Sequence, residues 1–337
     1  MSTDLLDLFR QQGAVISAGA DGRTLVDHFG DVEDEVTALQ KTAVVCPLLD
    51  HICIRVTGQD RAKFLHNFCT NNINDLPPGQ FCEAFFCDLK AKIVAHGYVL
   101  AGDDVHEIRM LSGDGEALLN HLNRYLITED VTLTCLSAER TTFAVAGPQT
   151  QSVLSELSGM PALTGPGCSM QGDVIMLLTT WHHLPMAFVS VNNDAAVNTW
   201  KQLTTAATAA GDSTFHHLRI LEGYPLIGTD LTHDNMAPEA DRNKIAISYT
   251  KGCYLGQEPI ARLDAMGHVN RKLYKGWATI TDDAQDDEEL PIVTSRSMAA
   301  GASIPVLLPL SVKLAANSSP LIAKIKGGPT VHVDRLV

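Results

Sequence analysis

An α+β fold is predicted for this chain, and three observations predict it. Short apolar strands lead through polar Gly- or Asn-containing turns into amphipathic helices, four times along the chain. Further strand candidates lie between these units, and one pair is joined by a tight turn. The last part of the chain breaks into short apolar runs separated by Gly and Pro, the pattern of a small all-β domain.

The first unit runs from a strand at 53–56 through Thr57-Gly58-Gln59-Asp60 into a helix over 61–69, with Phe64, Leu65 and Phe68 on one face. The second passes from 107–111 through Ser112-Gly113-Asp114-Gly115 into a helix over 116–126. There Leu118, Leu122 and Tyr125 recur at helical spacing, and Asp114 is placed to cap. The third crosses Gly147-Pro148 from a strand at 142–146 into a helix over 149–157; proline suits a first helical turn. The fourth leads from 186–191 through Asn192-Asn193-Asp194 into a helix over 195–210 that stops at Gly211. Val197, Trp200, Leu203 and Ala207 form its buried stripe. Units of this length, interleaved with other strands, are of split β-α-β type.

Between these units, 83–87 and 93–100 read as a hairpin closed by residues 88–92. A strand at 174–180 enters Trp181-His182-His183, and an apolar helix ends over 217–221. Beyond residue 273, strands at 273–280, 304–308, 321–325 and 331–337 make the small β domain. The acidic stretch 281–289 reads as a solvated loop.

A chain of 337 residues exceeds the usual single-core size, so two or three domains are expected. Hydrophobic content of 45% with 19% charged residues is globular. A net charge of −14 argues against nucleic acid or an anionic membrane as partner. Lys244, Lys251, Arg262, Arg271 and Lys272 lie close in sequence and offer a local basic pocket for an anionic ligand. None of the eight cysteines forms a C-x-x-C pair, and their spread fits a reducing compartment. Met1-Ser2-Thr3-Asp4 has neither a basic nor an apolar leader, and no apolar run reaches membrane-spanning length. A cytoplasmic protein is expected. The pairs His182-His183 and His216-His217 point in different directions along the chain and lack a third ligand, so no metal is expected. No dinucleotide fingerprint, P-loop, H-E-x-x-H or G-x-S-x-G is present.

The most informative stretch is Lys251-Gly252-Cys253-Tyr254-Leu255-Gly256-Gln257-Glu258, with Arg262 four positions on. Two glycines open backbone angles closed to other residues and imply a tight, specific loop. Cations flanking a cysteine favour the thiolate. The alternative is a structural thiol buried in an ordinary turn. His268 is a candidate base for the thiol. Glu222 opens the turn-rich stretch 223–230 and would accept hydrogen bonds from an aminopyrimidine edge; otherwise it is a surface residue at a helix end. Asp88 and Lys90 sit in the hairpin turn, where Asp usually bonds its own backbone.

These residues carry a likeness. The octapeptide with Arg262 resembles the signature of the YgfZ-type folate-binding proteins, relatives of the glycine-cleavage T-protein, an aminomethyltransferase. Phe86-Cys87-Asp88-x-Lys90, Leu218-Arg219-Ile220 to Gly223, Gly228-x-Asp230, Pro238-Glu239 and Gly267-x-x-x-Arg271-Lys272 follow in the matching order. The resemblance implies three domains around a central cavity: two ferredoxin-like α+β units, 1–50 with 141–230 and 51–140 with 231–272, and a small β-barrel at 273–337. It implies a tetrahydrofolate-type ligand and support for the assembly or repair of iron–sulfur client proteins, with Cys253 as the catalytic thiol. Asp88, Lys90, Glu222, Lys251, Tyr254, Gln257, Glu258 and Arg262 are the implied cofactor-binding residues. Two further readings stand beside it: transfer of an aminomethyl carbon to tetrahydrofolate, and a non-catalytic scaffold with a vestigial pocket.

Two departures from the pattern matter. Ala95-His96 stands where the T-protein carries an Asp-Asp pair, and the turn reads Lys90-Ala91-Lys92 rather than Lys-Gly-Arg. Arg219-Ile220-Leu221-Glu222-Gly223 replaces Arg-Ile-Glu-Ala-Gly, so the acid comes one residue late and its side chain turns away from the expected direction.

Overall fold

The computed structural model describes residues 3–19, 22–157, 163–172, 174–267, 269–281, 290–299, 303–317, 321–325 and 329–337. His268 and residues 282–289 of the acidic stretch lie outside them. The fold is α+β, built on three large sheets and a small N-terminal hairpin.

The first sheet has six strands in the order Gly167–Gln171, Val174–Trp181, Leu184–Asn192, Arg140–Ala146, Val44–Leu48 and Thr208–Ala209. All neighbours are antiparallel except the last pair. Side chains alternate between its two faces, and because both faces are covered the central strands are buried almost throughout. Phe143, Val145, Val189 and Met176 face the helices Thr3–Gln11, Thr150–Ser155 and Ala196–Ala206, around Trp200. Ala144, Ala146, Phe188 and Leu177 face the other way, toward Tyr98 and Leu100 of the second sheet.

That second sheet has five antiparallel strands in the order Phe81–Cys87, Ile93–Ala101, Val105–Met110, Ile52–Thr57 and Thr132–Cys135. Its outer face buries Ile54, Phe86, Val99 and Ile108 under the helices Arg61–Phe68 and Gly115–Asn123. The connectivity strand–helix–three strands–helix–strand recurs in both sheets, one strand more between the helices than the split β-α-β reading expects. Asp114 caps its helix, accepting from Ala117 N–H at 3.0 Å.

The third sheet runs Ile292–Val293, Leu321–Ile325, Thr330–Leu336, Arg271–Ile280, Ile304–Ser311 and Ser295–Arg296. Its two edge strands are separated in sequence by Thr294 alone, which donates its N–H to Leu307 C=O at 2.9 Å. The sheet therefore curls until its edges nearly meet, in the manner of a small barrel.

The helix predicted over 195–210 ends at Ala206. Thr204 and Thr205 return hydroxyl bonds to Trp200 and Lys201 carbonyls, which compete with the helical ladder. Thr208–Ala209 then pairs in parallel with Val44–Val45. The N-terminal hairpin Val15–Ala18 with Thr24–His28 and the helix Val32–Lys41 capped by Asp31 are further elements, and Val32, Val36 and Leu39 recur at helical spacing along that helix.

The element that positions the site is the helix Asp212–Glu222. It is wedged between the first two sheets and the curled third one, with Phe215 and Leu218 in the shared core. Its N-terminus is capped from a distance: the buried Glu35 accepts from Gly211 N–H at 3.1 Å and Thr214 O–H at 2.7 Å. Four orphan N–H groups at a helix start need such partners. Gly223 ends the helix in the left-handed conformation, φ 76°.

Candidate functional site

Where the three sheets converge on the 212–222 helix lies a cavity of about 390 Å³. The helix lends it Asp212, Ser213, Phe215, His216 and Arg219. The link between the first two sheets lends Leu48 to His51, the N-terminal hairpin Arg23, Leu25 and Asp27, and the third sheet Thr294 to Arg296.

Its floor is a buried ion pair. Arg219 Nη1 donates to Asp230 Oδ2 at 2.9 Å, and Nη2 donates to Ser295 Oγ at 2.6 Å. Asp230 also accepts from Leu226 N–H and from the Thr294 and Ser295 hydroxyls, so every strong site on the carboxylate is used. Arg219 Nε donates to His216 Nδ1 at 2.7 Å, which fixes that imidazole with its proton on Nε2. Burial, and then Arg219, push His216 down to about 3. Burial and Arg109 likewise lower His51.

Asp212 behaves in the opposite sense. Burial pushes its carboxyl up to about 7; the Val26 N–H bond opposes this, and Asp50 and Asp27 reinforce it. Its Oδ2 accepts from Val26 N–H at 3.0 Å. Oδ1 has no hydrogen-bond partner among the described residues.

None of the catalytic or cofactor-binding residues expected from the sequence lines this cavity. They fall into two other places. The 251–258 stretch forms a loop and the start of the helix Gln257–Ala265, packed on the tip of the 81–101 hairpin. Gly256 has φ 82°, and a Cβ there would lie 2.5 Å from Asp88 C=O, so the close approach demands glycine. Asp88 bonds its own turn, accepting from Lys90 N–H at 2.8 Å and Lys92 N–H at 2.9 Å. Lys251 is buried, and its ammonium donates to the carbonyls of His66, Cys69 and Asn71 at 2.5, 2.8 and 2.7 Å. It also lies 4.9 Å from the Tyr254 ring centroid. Cation and aromatic together therefore clamp the end of the 61–68 helix. Burial lowers the Lys251 pKa and raises that of Tyr254. Cys253 stands exposed on this clamped loop as a free thiol, with Lys90, Glu258 and Arg262 also exposed and Gln257 half-buried.

Glu222 belongs to a second cluster. It accepts from Arg242 Nη1 at 3.0 Å and from His182 N–H at 2.9 Å. Arg242 continues to the buried Glu83, at 2.6 Å, which also bonds His96 Nε2 at 2.8 Å. Burial would raise the Glu83 carboxyl, but Arg242 and His96 hold it at about 2. His96 stacks between Phe85 and Tyr224, at 4.4 and 4.6 Å between centroids. His182 and His183 form the turn of the 174–192 hairpin, both at positive φ. Leu221 faces a separate, largely apolar cavity of about 430 Å³, with His182, His217 and Trp277.

Sequence reasoning missed Arg23, Asp27, Asp50, His51 and Asp212. They sit in no motif, and long-range folding alone brings them together. For Arg219 and Asp230 a signal existed: both lie in the quoted segments, where they read as family markers rather than as partners.

Known proteins are similar to this chain. Residues 5–249 match the GCVT N-terminal domain. A chloroplastic protein of Arabidopsis thaliana, provisionally named a transferase, is 28% identical over 292 residues, which are 80% of this chain and 63% of that protein. The tRNA-modifying protein YgfZ of Yersinia enterocolitica is 28% identical over 246 residues, covering 71% of this chain and 72% of YgfZ. The YgfZ of Colwellia psychrerythraea is 22% identical over 237 residues, with coverages of 70% and 72%. The chain thus spans less than two thirds of the plant protein's length. Among solved structures, the glycine cleavage system aminomethyltransferase T of Bartonella henselae superposes with a TM-score of 0.82 at 17% identity, over 98% of this chain and 96% of that one. This establishes the shared fold. No helix among the described residues is long and apolar enough to cross a membrane.

Proposed function

Because the chain belongs to the GCVT N-terminal domain family, as a YgfZ-type member, we propose that it binds a tetrahydrofolate-type ligand and supports the assembly or repair of iron–sulfur proteins. The observation that carries the reading is the 390 Å³ cavity at the junction of all three sheets. Ligand sites of this size concentrate where separate layers of a fold meet. Its lining suits a folate. Leu25, Leu48 and Phe215 offer apolar surface for flat rings, Asp27, Asp50 and Asp212 offer acceptors, and Arg23 and Arg296 supply positive charge toward solvent for the acidic tail.

The thiol chemistry is assigned to Cys253, held on the 251–258 loop apart from the cavity. Asp88, Lys90, Tyr254, Gln257, Glu258 and Arg262 then serve as the frame and rim of that loop, and Lys251 as its internal clamp. Client proteins would meet the exposed thiol directly. Aminomethyl transfer is the weaker reading, because position 96 holds an imidazole locked onto Glu83 and position 95 an alanine.

Calorimetric titration with tetrahydrofolate and 5-formyltetrahydrofolate tests the first half. Micromolar or tighter binding is expected; no heat at high micromolar ligand leaves the scaffold reading. For the second half, Cys253→Ser is expressed in cells lacking their own YgfZ. Loss of iron–sulfur enzyme activity at normal protein level is expected, and full rescue would remove the thiol from the function.

A further inference from the structure

We propose that the layer between the first two sheets holds a buried site for a single halide ion, bound by Arg109 and Ser190. The inference stands apart from the folate reading and uses none of the residues assigned to that ligand.

Two strands bring the site together. Arg109 lies on Val105–Met110 of the second sheet, and Ser190 on Leu184–Asn192 of the first. Both are buried, Arg109 to 3% exposure, and Arg109 Nη1 donates to Ser190 Oγ at 2.8 Å across the layer. Nη2 donates to Glu107 Oε2 at 2.6 Å. Nε–H is buried as well and has no partner among the described residues. A buried donor on a charged group is rarely left so. Beside these groups lies a chamber of about 10 Å³, room for one water-sized guest. Arg109, Ser190 and His51 line it, and the remaining walls are aliphatic or aromatic, Leu177 and Phe188 among them. His51 also lines the 390 Å³ cavity, so the chamber lies directly behind that cavity's wall.

Charge and hydrogen-bond polarity choose the guest. Glu107 takes Arg109, then Arg55 at 3.2 Å and the Cys53 thiol at 3.4 Å. Arg140 stands near enough for Glu107 to favour its charge and for Arg109 to oppose it. Three guanidiniums thus share one carboxylate, which leaves positive charge in excess. Of the polar atoms available to a guest, Arg109 Nε–H and the Ser190 hydroxyl hydrogen are donors, and Ser190 Oγ already accepts from Nη1. The assignment gives His51 the tautomer with its proton on Nε2, Thr142 O–H donating to Nδ1 at 3.1 Å. Burial and Arg109 keep that ring neutral. Water needs acceptors for its own hydrogens, and these walls supply donors instead. A monatomic anion needs only donors, and it offsets part of the excess charge. Sulfate and phosphate exceed the chamber. So placed, the ion bridges both sheets.

The test uses the full chain without folate. Thermal unfolding is followed at one ionic strength while sodium gluconate is exchanged stepwise for sodium chloride or bromide. Either halide is expected to raise the midpoint by about 2 °C or more, and the rise to saturate. Ser190→Ala removes one donor and frees Nη1, and it is expected to abolish the saturating rise. A crystal soaked in sodium bromide is expected to show an anomalous peak in contact with Arg109 Nε. A midpoint that ignores the exchange of anions overturns the assignment. So does a rise of equal size in Ser190→Ala. If that variant does not fold, the bromide map decides, and a map without the peak, or with water in its place, overturns the assignment. A peak in the crystal without a response in solution marks an adventitious ion only, and overturns it too.

Discussion

The loop at 251–258 and the cavity under the 212–222 helix are built on opposite plans. The loop is contiguous in sequence, and its polar groups are turned inward to hold backbone: Lys251 grips three carbonyls and Asp88 satisfies two N–H groups of its own turn. What it leaves outward is a thiol. The cavity is assembled from residues between positions 23 and 298, and its floor is a saturated ion pair. What it leaves without a protein partner, among the described residues, is Asp212 Oδ1. In this chain, then, the densest motif holds backbone and leaves a thiol exposed, and the ligand-sized hollow is made mostly by residues outside the quoted motifs, Arg219 being the exception.

Removing the cation that each region buries is the strongest way to separate them. Arg219→Met strands Asp230 with an uncompensated charge at the junction of the three sheets. A loss of about 3–5 kcal/mol is expected in denaturant unfolding, together with loss of folate binding. The double change Arg219→Met, Asp230→Leu should recover much of the stability but not the binding. A loss under about 1 kcal/mol for the single change would mean that the pair does not organise the junction.

Lys251→Met strands three carbonyls instead of a carboxylate, so the expected cost is smaller, about 2–3 kcal/mol. The effect should be local. Amide exchange at residues 66–71 and 251–257 should accelerate, and alkylation of Cys253 should change rate, with folate affinity within about twofold of wild type. Equal loss of folate affinity in Lys251→Met and Arg219→Met would join the two regions into one site.

The fold was legible because its units repeat a local pattern: strand, polar turn, amphipathic helix. The signature loop was legible for a similar reason, since a Lys, two glycines and a Cys within six residues are visible without tertiary information. Their roles were not. Lys251 reads in sequence as a cation flanking a thiol, and only the packing of the 61–68 helix end shows where its ammonium goes. Asp212 reads as an ordinary first-turn acid. Its raised pKa depends on Asp27 and Asp50, which lie more than a hundred residues earlier. Glu222 reads in sequence as an acceptor for an aminopyrimidine edge or as a surface acid at a helix end, and its donors in the fold are Arg242 and a backbone N–H.

Asp212 gives the comparison a pH axis. The unfolded chain releases this proton near 3.8, whereas the folded chain keeps it up to about 7. Between those values the native state binds more protons than the unfolded one, so this group makes stability fall as pH rises through the window. Asp212→Asn keeps an acceptor for Val26 N–H and removes the penalty. At pH 8 it should stabilise the protein by about 1–2 kcal/mol, after allowance for solvent reaching the cavity, and at pH 4 it should be neutral. A variant less stable than wild type at pH 8 would show that the carboxylate has a partner in the free protein. The Lys251 variant, tested in parallel, should show no such crossover.

The smallest effect on stability is expected where the loss of function is expected to be complete. Cys253 is exposed and its sulfur takes part in no hydrogen bond or ion pair among the described residues, so Cys253→Ser exchanges one small, solvated side chain for another. Its unfolding free energy should stay within about 0.5 kcal/mol of wild type, and folate affinity should not change, because the loop and the cavity share no lining residue. A variant that folds, binds tetrahydrofolate normally and still fails in the cell would place the thiol's work after ligand binding, at the encounter with another protein. A drop in folate affinity would instead mean that the loop closes onto the ligand, and the division between thiol loop and ligand-sized hollow would have to be abandoned.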